Sequence, residues 1–180
     1  VIGGASEGQM AGTPNIITVD IGGTSADIST IPGGQLNIMN QRDTYVSGYP
    51  VLTPMIDLVT IGAGGGSVAF IDEAGGFNVG PRSAGSEPGP ACYGRGGDEP
   101  TVTDAQIVLG RLDPDMALGG DLRLDADLAR KAVEEKIARP LGLSVNDAAL
   151  ADADTILVLT LARADAAIDL GANAGRTAIR

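Results

Sequence analysis

Histidine is absent from this 180-residue chain, and that absence removes most familiar hydrolase machinery. Without imidazole there is no Ser-His-Asp triad, no Cys-His dyad and no HExxH zinc site. Cysteine occurs once, as Cys92, so neither an internal disulfide nor a CxxC motif can form. Such usage fits a reducing cytoplasm, and Cys92 itself reads as a small buried apolar residue. Basic residues are also scarce: 12 Lys and Arg stand against 23 Asp and Glu, for a net charge of -11 and a pI near 4.2. Nucleic acid and anionic membrane surfaces demand clustered cations, so neither is an expected partner. A small anion remains compatible, held by backbone N–H groups and Mg²⁺ rather than by a basic patch. No apolar run approaches the ~20 residues that span a bilayer. The opening VIGGASEGQM has neither the basic nor the apolar region of a secretory leader. The expectation is a soluble, cytoplasmic protein.

What is present divides near residue 100. At 180 residues and 18.1 kDa the chain has the size of one ordinary domain, long enough to bury a core. Glycine crowds residues 1–100, which read as strands and loops, whereas 101–180 carry Ala, Asp and Leu at helical spacing. The runs NIITVDIGG, SADISTI and QLNIMN are punctuated by Gly22-Gly23 and Pro32-Gly33-Gly34, which predicts a three-stranded antiparallel meander. A second stretch, VTIGAGGGSVAFIDEAGGFNVGP, superposes Gly64, Gly65, Ser67, Gly75 and Gly76 on Gly22, Gly23, Ser25, Gly33 and Gly34. Two similar hairpins are expected.

The second part predicts helices. In PTVTDAQIVLGRLDP, Thr103 and Gln106 stand at capping-box spacing, and Ala105, Val108, Leu109 and Leu112 form a core-facing stripe ended by Pro114. LDADLARKAVEEKIARPLG offers Asp125 as N-cap, with Leu128, Ala132, Val133 and Ile137 on one side. Asp127 and Lys131 sit at the supportive i, i+4 spacing, and Pro140 with Gly142 stops the run. A third helix opens at Ser144, with Asp147 three residues on, and is expected to reach Leu170. Its middle, TILVLTLA, is apolar all round and predicted to be buried.

The stretch VDIGGTSADIS carries the first chemistry. Asp20 and Asp27 flank a Gly22-Gly23-Thr24-Ser25 turn between two apolar runs. Glycines there let backbone N–H groups approach an anion without Cβ interference, and the hydroxyls of Thr24 and Ser25 add donors. Asp20 suits a carboxylate that holds Mg²⁺ or orients water. Spacing alone leaves a second reading open, a tight hairpin whose glycines serve the turn and whose aspartates are solvated.

Resemblance adds weight to the first reading. DIGGTSADIS resembles the second phosphate loop of the actin, Hsp70 and sugar-kinase superfamily. The runs IGAGGGSVAFID and VGPRSAGSEPGPACYGRGGDEPTVTDAQIVLGRL resemble the hydantoinase A and 5-oxoprolinase family. The likeness covers about residues 5 to 145, and its SAG-x-x-PGPACYGRGG-x-x-PTVTDA segment is long and uncommon.

Membership of such a family implies an α/β fold of the actin-like ATPase (ribonuclease H-like) kind, with a mixed, largely antiparallel sheet and packed helices. It implies ATP with Mg²⁺, used to open a cyclic amide or imide of the hydantoin or 5-oxoproline type by phosphorylating the amide oxygen. A hydantoinase B-like subunit or domain completes hydrolysis in that scheme, and related members are ATP-dependent ketone carboxylases. Phosphoryl transfer is mostly positioning and charge stabilisation, which backbone N–H groups and Mg²⁺ supply without histidine.

The resemblance assigns Gly22, Gly23, Thr24 and Ser25 to phosphate, Asp20 to Mg²⁺ or water, and Asp27 to a catalytic carboxylate. Gly62, Gly64, Gly65, Gly66 and Ser67 match the family's GAGGGS loop, either a second wall of the nucleotide or substrate cleft or a close-packed bend. Cys92, Tyr93 and Asp104 receive no role, although Asp104 also fits the first turn of a helix. The family's amino-terminal domain and its later adenosine segment have no counterpart in the sequence. Residues 1–180 therefore read as a partial hydantoinase A-type domain, expected to be inactive alone. The competing readings are a binding or assembly module without turnover and a sugar-kinase-like phosphotransferase, in which the GPACYGRGG segment is not expected.

Overall fold

The computed structural model describes residues 1–39, 45–46, 48–115 and 122–155, which fall into two compact units. Among the described residues, the first comprises Val1–Asp20 and Asp27–Thr60, and the second comprises Ile21–Ala26 and residues 61–115 and 122–155. Helices and antiparallel strand pairs both occur, in keeping with the mixed α/β class.

In the first unit, helix α1 (Ile2–Met10) precedes strands β1 (Ile16–Ile21) and β2 (Ala26–Ile31). Nothing in IGGASEGQM signals a helix, because two glycines near its start weaken the propensity. Packing reverses that preference. A Cβ on Gly4 would meet Thr18 Cγ2 at 2.7 Å, and one on Gly8 would strike the Ile16 side chain, so small residues let α1 lie close on β1. Ile28 and Ile31 of β2 are buried.

Short strands follow: β3 (Ile38–Met39), β4 (Tyr45–Val46), β5 (Tyr49–Pro50) and β6 (Met55–Ile56), then β7 (Val59–Ile61). β3 pairs with β6 and β4 with β5, both antiparallel. The larger sheet has the order β1-β2-β7. The predicted meander is therefore corrected at its third strand, since QLNIMN contributes β3 to a separate pair. The reason lies in Pro32-Gly33-Gly34, which forms a 3₁₀ turn with φ of 62° and 74° at the glycines. Gly34 N–H donates to the Pro14 carbonyl at 2.7 Å and Gly33 N–H to Asn15 Oδ1 at 2.8 Å. The turn is thus captured ahead of β1 rather than reversing the chain along β2.

In the second unit, β8 (Ser67–Ile71) pairs antiparallel with β9 (Phe77–Ser83), with Phe70 opposite Asn78. Asp72 Oδ1 closes their turn by accepting from Ala74 N–H at 3.0 Å and Gly76 N–H at 2.8 Å, with Gly75 at φ 82°. Only this half of the second expected hairpin forms. Residues 62–66 join β7, in the sheet with β2, to β8, paired with β9, so they link two strand sets instead of turning a hairpin.

Helix α2 (Val102–Val108) starts earlier than the spacing of Thr103 and Gln106 predicts. Thr101 is its N-cap, and Asp104 completes the capping box. The correction has a simple cause: Asp serves as the N3 acid, and Thr103 is directed elsewhere. Helix α3 (Ala126–Val133) begins as expected, with Asp125 Oδ1 accepting from Asp127 N–H and Leu128 N–H at 3.0 Å each. It continues as a π-turn over Glu134–Ala138 and ends at Gly142, φ 67°. Its buried face carries Ala129, Ala132, Val133 and Ile137, while Leu128 is exposed. Asp127 and Lys131 form no ion pair among the described residues, where Arg82–Glu99, Lys136–Asp98 and Arg139–Glu134 do.

A further helix over 145–155 is capped by Ser144, whose hydroxyl accepts from Asp147 N–H at 3.1 Å and donates to Asp147 Oδ2 at 2.7 Å. The TILVLTLA segment beyond Thr155 lies outside the described residues. Ala69, Val79, Val102, Ala105, Ile137 and Ala149 meet in one core, where β8, β9 and all three helical segments contribute. Each fully buried Val or Ile there contributes ~1.5–3 kcal/mol. That core fixes the two glycine-rich loops described next.

Candidate functional site

The turn at Gly22–Ser25 is closed by one bond, Gly22 N–H to the Ser25 carbonyl at 2.8 Å. Gly22, Gly23 and Thr24 are exposed, and a Cβ on Gly23 would meet nothing within 4 Å. Among the described residues, the N–H groups of Gly23, Thr24 and Ser25 have no acceptor. Three adjacent donors on an open turn fit an anionic phosphate oxygen, and the bare Gly23 Cα leaves room for its approach.

The second glycine loop lies directly against this turn. Gly65 N–H donates to the Gly22 carbonyl at 2.9 Å, and Gly66 N–H donates to the Gly23 carbonyl at 2.6 Å. A Cβ on Gly64 would stand 2.7 Å from the Gly22 oxygen and 2.8 Å from Ser25 N. One on Gly66 would stand 2.8 Å from the Gly23 oxygen. These glycines therefore permit backbone to meet backbone. Ser67 is fully buried, and its hydroxyl accepts Gly64 N–H at 2.9 Å, which ties the loop off at the start of β8. Gly62 is exposed, with the Pro81 Cβ 3.5 Å from where its own Cβ would be. The two glycine segments singled out in the sequence are in contact, and the N–H groups of Gly64, Gly65 and Gly66 are spent on protein acceptors.

Two residues outside the expected set reach the same place. Ser83, at the end of β9, brings its hydroxyl within 3.5 Å of Thr24 Oγ1 and accepts Gly85 N–H at 3.1 Å. Thr103 donates to the Gly65 carbonyl twice, from its N–H at 2.8 Å and from its hydroxyl at 2.9 Å. The signal for Ser83 is the SAG element of the distinctive segment. Thr103 gave none, because a helix-start threonine reads as a cap.

The two aspartates belong to the first unit. Asp20 is the next-to-last residue of β1 and is exposed. Asp27, on β2, accepts the Thr60 hydroxyl from β7 at 2.6 Å, which leaves its second oxygen open. No group of three or more His, Cys, Asp or Glu side chains gathers among the described residues.

The distinctive segment owes its order to a buried carboxylate. Asp104 is fully buried and accepts Cys92 N–H at 2.8 Å, Ala91 N–H at 3.2 Å, Thr101 N–H at 2.9 Å and the Thr101 hydroxyl at 2.8 Å. These donors compensate its desolvation and pin the Ala91–Tyr93 turn to the start of α2. Burial, with Asp104 adding to it, pushes the Cys92 thiol far up, so it stays a protonated apolar side chain. Tyr93 borders an open cavity of about 480 Å³ whose charged lining is Asp115, Arg123, Asp125 and Asp127. Three carboxylates against one guanidinium make it a poor seat for phosphates. Asp152, on the 145–155 helix, is 2% exposed and has no hydrogen-bond partner among the described residues. Burial, then the charge of Asp104, raises its carboxyl to about 8.

No helix among the described residues is long and apolar enough to cross a membrane. Comparison with known proteins places this geometry in context. The caprolactamase subunit alpha of Pseudomonas jessenii is 51% identical over 142 residues, which are 79% of this chain and 20% of that one. The gamma subunit of acetophenone carboxylase from Aromatoleum aromaticum is 42% identical over 150 residues, 83% of this chain and 20% of its own. The crystal structure of the ATP-dependent caprolactamase from Pseudomonas jessenii superposes with a TM-score of 0.76 at 46% identity, over 91% of this chain and 24% of that one. The chain thus spans about one fifth of the length of these curated relatives. The hydantoinase/oxoprolinase family pattern matches residues 1–170, and the chain belongs to that family.

Proposed function

We propose that the chain supplies a phosphate loop to an ATP-dependent hydrolase that opens a cyclic amide or imide. The observation that carries this reading is the Gly22–Ser25 turn, with three N–H donors that have no acceptor among the described residues, on a turn braced by Gly65 and Gly66. In this proposal Gly23, Thr24 and Ser25 bind phosphate oxygens, Asp20 holds Mg²⁺ and Asp27 is the second catalytic carboxylate. Bound ATP supplies a γ-phosphoryl group to the amide oxygen, which makes an unreactive amide electrophilic enough for water to open. The chain's own task is to bind and orient that group and to stabilise developing charge without an imidazole. The name of the caprolactamase relative supports a lactam as the cyclic amide, and the subunit names of both relatives support a partner subunit, which in this proposal is of the hydantoinase B kind. An actin-like arrangement is part of the same proposal.

A second reading, a subunit of a ketone carboxylase, draws on the acetophenone carboxylase relative. The higher identity to caprolactamase favours hydrolysis.

Calorimetric titration of the 180-residue chain with ATP, with and without Mg²⁺, tests the nucleotide reading. Binding that Mg²⁺ strengthens, and that Asp20→Asn makes indifferent to Mg²⁺, is the expected result. No binding at millimolar ATP overturns it. Coexpression with a hydantoinase B-type partner, followed by assays of a lactam and of a ketone with bicarbonate, separates the two reactions.

A further inference from the structure

We infer that Thr103 is a positioning residue for the 22–25 turn, acting through the peptide group shared by Gly65 and Gly66; the inference rests on the phosphate reading of that turn. A trans peptide directs its C=O and N–H to opposite sides. The Gly65 carbonyl is held by the Thr103 hydroxyl at 2.9 Å and the Thr103 N–H at 2.8 Å. The N–H on the other side of that same peptide, Gly66 N–H, reaches the Gly23 carbonyl at 2.6 Å. The Gly23 carbonyl in turn belongs to the peptide whose N–H is that of Thr24, one of the three uncommitted donors. Thr103, the Gly65-Gly66 peptide and the Gly23-Thr24 peptide therefore form one hydrogen-bonded series that ends on a donor with no acceptor among the described residues. Bonds in such a series polarise one another and fix orientation at each step.

Helix capping does not account for the Thr103 hydroxyl. Thr101 is the N-cap of α2, and its partner in the capping box is Asp104. The contact is also close by design of the sequence, since a Cβ on Gly65 would stand 2.9 Å from Thr103 Oγ1. A side chain at 65 would crowd the threonine hydroxyl where it meets the carbonyl it serves.

The test uses the full 180-residue chain, with amide hydrogen exchange and ATP titration followed by NMR. Thr103→Val and Thr103→Ala delete the hydroxyl and leave the N–H bond to Gly65, whereas Thr103→Ser keeps both. Loss of one hydrogen bond should speed exchange at Gly66 N–H by about 2- to 10-fold and weaken ATP binding by a similar factor. Thr103→Ser should restore both to within about 2-fold of the parent, on the same basis. Unchanged exchange at Gly66 in both deletion variants overturns the inference, and so does ATP binding equal to that of the parent chain. A parent chain that binds no ATP overturns the phosphate reading instead, and the Gly66 exchange rates then still decide whether Thr103 controls the loop.

Discussion

Asp104 Oδ1 accepts the backbone N–H of Cys92 at 2.8 Å, while its other oxygen holds Thr101 by N–H and hydroxyl. One carboxylate thus joins the Ala91–Tyr93 turn to the helix that carries Thr103. Asp104→Ala leaves the buried N–H groups of Cys92, Ala91 and Thr101 without their acceptor, at ~1–3 kcal/mol apiece before relaxation. A loss of at least ~3 kcal/mol in urea unfolding is expected. A variant within ~1 kcal/mol of the parent would show that the carboxylate is dispensable.

The Asp152 carboxyl predicts how stability depends on pH. Burial raises it to about 8 in the folded chain, far above its ordinary value of 3.8. Between those values the folded state keeps a proton that the unfolded state has lost. The associated stability is therefore complete below about pH 4 and is lost as pH rises to about 8. Asp152→Asn removes the titration, so the variant's melting temperature should overtake the parent's near pH 8 while lying at or below it near pH 5. Parallel pH profiles for the two proteins would contradict this.

Local chemistry made much of the molecule legible. The strands β1, β2, β8 and β9 follow from apolar β-branched runs between glycine pairs, and Asp125 and Ser144 cap the helices that their positions announce. Strand partnership was not legible. The turn at Pro32–Gly34 looks like a reversal in sequence, yet Pro14 and Asn15 capture it, so β7 takes the place expected for residues 35–40. Such contacts join residues nearly twenty apart, and no periodicity encodes them. The same limit hid α1, whose glycines weaken an isolated helix but suit one lying on β1. At the candidate site the loop segments could be read from their glycines, whereas the division of labour between them could not. Hydrogen bonding alone separates Gly23, whose N–H is open, from Gly65 and Gly66, whose N–H groups brace the turn.

That division makes Gly64 a test of the brace. Its missing Cβ would fall 2.7 Å from the Gly22 oxygen, 2.8 Å from Ser25 N and 2.8 Å from Thr24 C, all backbone atoms that cannot swing aside. Gly64→Ala must push the two loops apart or shift β8. A cost of ~1–3 kcal/mol in stability is expected, as for overpacking elsewhere, together with large amide shifts at Gly22 to Ser25 in NMR spectra. Shifts confined to the neighbours of residue 64 would mean that the loops are not in contact.

Gly23 should behave in the opposite way, and that contrast is the sharpest test of the phosphate reading. Its N–H is uncommitted among the described residues, its surroundings are open to 4 Å, and its carbonyl alone is engaged, by Gly66 N–H. A side chain placed there meets no protein atom, so Gly23→Val should lower the melting temperature by no more than about 2–4 °C. A phosphate approaching the turn would meet the two new methyl groups at once. ATP affinity is therefore expected to fall by ~10-fold or more, the equivalent of ~1.4 kcal/mol, with the fold intact. Calorimetric titration of the parent chain and of Gly23→Val, each alongside a thermal melt, measures both quantities. Equal ATP affinity in the two proteins would show that nucleotide binds away from this turn, and that its glycines serve the backbone alone.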